Sequence, residues 1–184
     1  MLCVIGKSAS GKTTLIEELK KRGYKKAVTY TTRPMRPGEI DGIDYHFLSV
    51  KDFKSNIEKG FFAEFYDFTR EGKTDWLYGS SKESYLKSDE KTFVILTPNG
   101  IRDVKKNGVP LTVFYLVVPD HDRKRALLKR GDDSIEIERR IIRDNIDFEE
   151  AAELSDFVIS NPHYFLTPEE LADKTIGLIG KKNE

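Results

Sequence analysis

Leu2-Cys3-Val4-Ile5 is a short apolar run that stops at Gly6, and helically spaced apolar and charged residues run from Thr13 to Arg22. Between them lies Gly6-Lys7-Ser8-Ala9-Ser10-Gly11-Lys12-Thr13, so the chain opens as strand, glycine-rich turn and helix. The order G-x-x-x-x-G-K-[ST] has a physical basis. Glycines let backbone N–H groups turn toward phosphate oxygens, and the helix that follows presents its positive N-terminus to them. Gly6, Ser8, Ala9, Ser10, Gly11, Lys12, Thr13 and Thr14 are therefore expected to line a triphosphate site. Lys12 is expected to reach the β- and γ-phosphates, and the Thr13 hydroxyl to ligate Mg²⁺, while Thr14 starts the packing of the helix.

Composition narrows the partners. At 184 residues with 38% hydrophobic content the chain is sized for one domain with a sizeable core. Lys and Arg total 31, as do Asp and Glu, so no global positive field holds a polyanion, and nucleic acid is excluded as the main partner. Cys3, the single cysteine, cannot form an internal disulfide. The longest apolar runs fall short of a membrane span, and no charged-then-apolar leader precedes the first strand. The expectation is a cytoplasmic enzyme without a membrane partner, monomeric or homodimeric.

Further apolar runs at Thr92–Leu96, Leu111–Val118 and Phe157–Ser160 alternate with charged helical stretches, which predicts an α/β core around a parallel sheet of about five strands flanked by helices. Between Arg33 and about Leu86 the pattern shifts to short aromatic strands, Asp44–Leu48 and Phe61–Asp67, around a helical stretch Val50–Lys59. This is expected to be an inserted α+β subdomain. Arg123–Arg143 is dense in charge around Gly131-Asp132-Asp133 and suggests two helical arms and a mobile turn rather than core, a lid. The expected division is a core of 1–32, 87–120 and 145–184, an insert of 33–86 and a lid of 121–144.

The acceptor side must be read from Thr29 to Glu39, where two prolines stiffen a loop carrying Arg33 and Arg36. Guanidinium forks on such a loop suit a bound monophosphate. On spacing alone, solvated surface arginines remain an equal alternative.

The segment Thr31-Thr32-Arg33-Pro34-Met35-Arg36-Pro37-Gly38-Glu39-Ile40-Asp41-Gly42-Ile43-Asp44-Tyr45-His46-Phe47 resembles the signature of the guanylate kinase family. Phe61-Phe62-Ala63-Glu64 is similar to that family's base-reading strand, Tyr78-Gly79-Ser80 to its second substrate loop, and Arg130-Gly131 with Arg139-Arg140 to its lid. The resemblance implies ATP-dependent phosphorylation of GMP and dGMP with Mg²⁺. It implies that Arg33, Arg36, Tyr45 and Tyr78 hold the GMP phosphate and that Thr29, Glu64 and Ser80 meet the guanine. Strand alternation is expected to put Phe62, Glu64 and Tyr66 on one face, with Glu64 among aromatic neighbours. A carboxylate there accepts two hydrogen bonds from guanine, while adenine would leave it unmatched.

Lys12, Arg130 and Arg140 are the expected catalytic cations, with Arg143 one helical step beyond Arg140. The bland alternative for the lid arginines is a solvated helix held by exposed ion pairs. One departure stands out. The family carries Asp-x-Asp after the strand that follows the substrate subdomain, whereas this chain reads Ile95-Leu96-Thr97-Pro98-Asn99. Thr97 takes the later position and is expected at the guanine end of the site. That departure leaves room for a related kinase acting on a ribose bisphosphate or a modified nucleotide. A non-catalytic guanylate-kinase-like binding module is a further alternative, opposed by the intact Gly11-Lys12-Thr13.

Overall fold

The computed structural model of the chain describes residues 1–67 and 76–183, so the stretch 68–75 of the expected insert lies outside the described residues. In chain order the elements are β1 (Leu2–Gly6), α1 (Lys12–Lys21), β2 (Lys25–Lys26), β3 (Thr29–Thr31), β4 (Tyr45–Phe47), α2 (Val50–Glu58), β5 (Phe62–Asp67) and β6 (Leu77–Ser81). They continue as α3 (Lys82–Leu86), β7 (Thr92–Ile95), α4 (Pro98–Lys106), β8 (Thr112–Val117), α5 (Asp120–Lys129), α6 (Ser134–Asp147), β9 (Phe157–Ser160) and α7 (Pro168–Asn183). These elements gather into two compact units. One holds Leu2–Lys26, Lys91–Pro98 and the chain from Leu111 onward; the other holds Ala27–Glu90 and Asn99–Pro110, so β3 and most of α4 group with the residues read as an insert.

The first unit is built on a parallel sheet in the order β2-β7-β1-β8-β9. All five residues of the central β1 are buried, because helices cover both faces. On one face Leu2, Val4, Phe93, Phe114, Leu116 and Ile159 pack with Leu15, Ile16 and Leu19 of α1 and Leu171 and Ala172 of α7. The opposite parity, Cys3, Ile5, Val113 and Tyr115, is buried too, and Tyr115 stacks on Phe148 at the end of α6. Because the strands are parallel, the turn after Gly6, Thr97 after β7, the start of α5 after β8 and the loop after β9 all leave the same end of the sheet. The two lysines of β2 sit on the edge strand, where charged side chains discourage pairing with another chain. Part of the stretch expected to stand outside the core is core. Arg123, Leu127 and Ile137 are fully buried, since α5 and α6 pack on one another and turn one face of each inward.

The second unit carries a four-stranded sheet in the order β4-β3-β6-β5. Ser49 accepts the Asp52 N–H and starts α2, whose Phe53 packs with Phe62 and Leu77 against Tyr30, Leu48, Ile57 and Phe61. The register assigns the other face. Glu64 pairs with Ser80, Tyr66 with Tyr78, Tyr78 with Thr31, and Thr29 and Thr31 with Tyr45 and Phe47. A bulge between Phe62 and Glu64 shifts the pairing, so that Phe62 lies opposite Ser81 and Glu64 opposite Ser80. This corrects the alternation expected from the sequence. The extra residue sends Phe62 to the helix-covered face, while Glu64 keeps company with Tyr66, Tyr78 and Ser80.

Gly79 lies against that packed face, and a Cβ there would stand 3.0 Å from both Phe53 Cζ and Phe62 Cδ1 and 3.1 Å from the Glu64 carbonyl oxygen. Gly79→Ala is expected to cost about 1–3 kcal/mol through overpacking. The measurement is urea unfolding, and an unchanged midpoint would show that the sheet absorbs the methyl group.

Candidate active site

The turn from Gly6 to Thr13 is fixed from several sides. Gly6 is required by close approach, since a Cβ there would lie 2.4 Å from Ser10 Oγ and 2.9 Å from the Leu116 carbonyl oxygen. Lys12 Nζ folds back over the loop and donates to the Gly6 and Lys7 carbonyl oxygens at 2.6 and 3.0 Å. Burial pushes the Lys12 pKa down to about 8; Asp144 opposes the shift, and the charges of Arg123 and Arg130 reinforce it. Lys12, Arg123 and Arg130 outnumber the carboxylates of Asp144 and Asp120 here, a charge balance that favours an anion. Helix α1 adds to it. It starts from Gly11 with no side-chain cap and no acidic residue in its first turn, whereas Ser49, Ser81 and Asp133 cap α2, α3 and α6. Its first N–H groups and its dipole are thus left to an anion. Thr13 and Thr14 are exposed in that turn, and the Thr13 hydroxyl suits Mg²⁺, which takes few protein oxygens beside phosphate and water.

Beneath the loop lies a buried ion pair absent from the expectations. Arg123, with no exposed surface, donates from Nη1 to Asp144 Oδ2 at 2.8 Å and to the Ser8 carbonyl oxygen at 3.1 Å, and from Nη2 to Asp120 Oδ1 at 2.8 Å. Asp144 in turn accepts the Ser8 N–H at 2.7 Å and its hydroxyl at 3.3 Å. Ser8, expected to address phosphate, therefore commits both groups to Asp144. Ala9 receives the Tyr164 hydroxyl on its carbonyl oxygen at 2.8 Å, and Ser10 is buried with its N–H on Lys7. Arg123 and Asp144 are 21 positions apart, and no local spacing links them.

The lid arginines divide. Arg130 ends α5 close enough to Lys12 to act on its charge. Arg140 Nε donates to Glu136 Oε1 at 2.8 Å, and Arg139 donates to both oxygens of the same carboxylate. Hydrogen bonds from Arg139 foremost, opposed by burial and aided by Arg140, hold the Glu136 carboxyl down to about 2. Arg143 Nε lies 3.5 Å from Asp147 on its own helix. Thr97 is half-buried just past β7, in the same unit as the phosphate loop.

The other expected acceptor residues collect in the second unit. Arg33, 3% exposed, donates from Nε to the Tyr78 hydroxyl at 3.2 Å and lies 5.6 Å from the Tyr45 ring centre. The Tyr45 and Tyr78 rings are 6.0 Å apart, and burial raises the Tyr45 phenol above its ordinary range. Glu39, which no expectation included, bridges the two arginines. Its Oε1 takes Arg33 Nη2 at 2.7 Å and its Oε2 the backbone N–H of the exposed Arg36, also at 2.7 Å. On the same sheet face Glu64 is 7% exposed and accepts the Ser80 hydroxyl at 2.6 Å, and Thr29 is half-buried. Burial pushes the Glu64 carboxyl up to about 7, although the Ser80 hydrogen bond opposes the shift. One guanidinium with two phenols and a desolvated carboxylate with hydroxyls therefore share a single face.

Removing Arg123 leaves Asp144 buried without its cation, so Arg123→Met is expected to cost about 3–5 kcal/mol, read by urea unfolding. A loss near zero would show that water replaces the guanidinium. Glu64 gives a pH signature. Its folded pKa near 7 lies above the unfolded 4.5, so the native chain holds the extra proton between those values and stability falls as pH rises through them. Glu64→Gln should flatten that part of the stability–pH curve, and an unchanged slope would assign it elsewhere.

Comparison with known proteins identifies the family. Residues 1–173 match the family model of guanylate kinase. A guanylate kinase of Aster yellows witches'-broom phytoplasma (strain AYWB) is 32% identical over 188 aligned residues, spanning 97% of this chain and 84% of that protein. One from Clostridioides difficile (strain 630) is 35% identical over 147 residues, 76% of this chain and 69% of that one. The crystal structure of guanylate kinase from Anaplasma phagocytophilum shares the fold, with a TM-score of 0.65 at 20% identity over 99% of this chain and 85% of that chain. A phosphate loop with an uncapped helix, a family model spanning both units and relatives along nearly the whole length converge, and the chain belongs to the guanylate kinase family.

Proposed function

We propose that the chain transfers the γ-phosphate of ATP to GMP or dGMP, giving ADP and the diphosphate. The observation that carries this reading is the shared sheet face on which Glu64, hydrogen-bonded by Ser80, lies with Arg33, Tyr45 and Tyr78. Arg33 and the two phenol groups suit a monophosphate, with Arg36 on the adjoining loop. Glu64 suits N1–H and the exocyclic amine of guanine, with Thr29 and Ser80 on the same sheet.

The donor triphosphate is assigned to the loop from Gly6 to Thr14, with Lys12 on the β- and γ-phosphates and Mg²⁺ on Thr13. Bound Mg²⁺ supplies charge that offsets the phosphate oxygens. A GMP phosphate oxygen attacks the γ-phosphorus in line as the bond to the bridging oxygen breaks. Lys12, Arg130, Arg140 and Arg143 are assigned to the charge that spreads over the equatorial oxygens. For the two outer arginines this requires exchanging Glu136 and Asp147 for phosphate, a change that partly exposed ion pairs permit at small cost. We assign the reaction to the cytoplasm, a reducing compartment that suits a chain whose single cysteine is buried.

Coupled ADP release with GMP, dGMP, AMP, UMP, TMP and IMP tests the reading. GMP and dGMP should be the best acceptors. Lys12→Ala should abolish transfer to every one of them, whereas Glu64→Ala should mainly harm GMP use, by tenfold or more. Equal losses across acceptors in the Glu64 variant would make its carboxylate structural, and GMP no better than AMP would refute guanine selection.

A further inference from the structure

We propose that His121, Asp122 and His163 form a site for a transition-metal ion of the Zn²⁺ type, which clamps the loop after β9 to the first turn of α5. One ligand atom from each residue lies within 4.8 Å of the others. His163 Nδ1 is 3.0 Å from Asp122 Oδ1, and His121 Nε2 is 3.3 Å from Asp122 Oδ2. Metal bonds of about 2.0–2.2 Å to nitrogen and oxygen set tetrahedral donor separations of roughly 3.3–3.5 Å. Small rotations of the two exposed imidazoles reach that geometry.

The carboxylate between them is already fixed. Asp122 is 1% exposed, and its Oδ2 accepts the His163 backbone N–H at 2.8 Å. That contact depends on a special turn, in which His163 and Tyr164 hold left-handed φ values of 53° and 54°. The turn delivers both the N–H and the ring of His163 to one carboxylate. The nearby cation is Arg125, whose exposed Nη1 lies 3.9 Å from Asp122 Oδ1 and can swing into solvent. Two imidazole nitrogens and one carboxylate oxygen favour Zn²⁺ over Mg²⁺, which prefers oxygen alone. For His163 Nδ1 to bind, the neutral ring carries its proton on Nε2. The clamp reaches the donor site through Tyr164, whose hydroxyl donates to the Ala9 carbonyl oxygen in the phosphate loop.

The test uses the full chain, stripped with a chelator and without nucleotide. Calorimetric titration with Zn²⁺ should give one equivalent, Co²⁺ should give the visible bands of a four- or five-coordinate ion, and millimolar Mg²⁺ should not displace Zn²⁺. His121→Ala and His163→Asn, the second chosen because asparagine tolerates the left-handed turn, should each weaken Zn²⁺ binding at least about tenfold. Thermal melting of the metal-free variants checks that they fold. Lys12→Ala should bind Zn²⁺ like the parent, which separates this site from the phosphoryl-transfer reading. Absence of stoichiometric Zn²⁺ binding, or equal affinity in the parent and both histidine variants, would overturn the proposal.

Discussion

The phosphate loop rests on the buried pair of Arg123 and Asp144. An arginine with no exposed surface needs its charge met, and here α5, α6 and the loop all contribute acceptors to its two terminal nitrogens, while its buried Nε has no hydrogen-bond partner. Asp144 meets the Ser8 N–H while Arg123 meets the Ser8 carbonyl oxygen, so one loop residue is gripped on both of its backbone groups. The same charges act on Lys12, whose ammonium is desolvated beneath an uncapped helix. An anion at the start of α1 would relieve that desolvation, because that helix start has no acidic side chain of its own.

In the other unit one extra residue has a comparable effect. The four-stranded sheet buries Phe53, Phe62 and Leu77 on one side and turns hydroxyls, a guanidinium and a carboxylate to the other. Without the bulge between Phe62 and Glu64, either Phe62 would leave the packed face or Glu64 would enter it. The bulge lets apolar burial and a polar face coexist on β5. Glu64 is thereby desolvated, the same burial that pushes its carboxyl up to about 7, and in a desolvated site a carboxylate left without its hydrogen-bond partners costs most.

Much of this was legible in the chain. The run Leu2–Ile5, the spacing from Gly6 to Thr13 and the alternation of apolar and charged stretches led to a parallel α/β core, and β8 and β9 lie where apolar runs were found. Tyr45, Glu64, Tyr78 and Ser80 came from resemblance to a family, and the sheet register brings them to one face, where Arg33 joins them through its hydrogen bond to Tyr78. Other features left no trace. A bulge resets a period-two pattern without changing the residues that carry it, and Arg123 looked like any charged helical residue until its distant partner Asp144 was known. Glu39 lay inside the recognised segment, yet only its two hydrogen bonds connect Arg33 with Arg36.

The sequence by itself determined the strand, glycine-rich turn and helix at the start of the chain, because these depend on residues adjacent in the chain. It also determined the α/β class, since periodicity is a local property. Tertiary structure alone decided which arginine is buried beneath the loop, which face Glu64 occupies and which carboxylate holds Arg33. Each of these depends on strand register or on contacts between segments far apart in the chain, and such contacts are set by burial and charge pairing rather than by spacing.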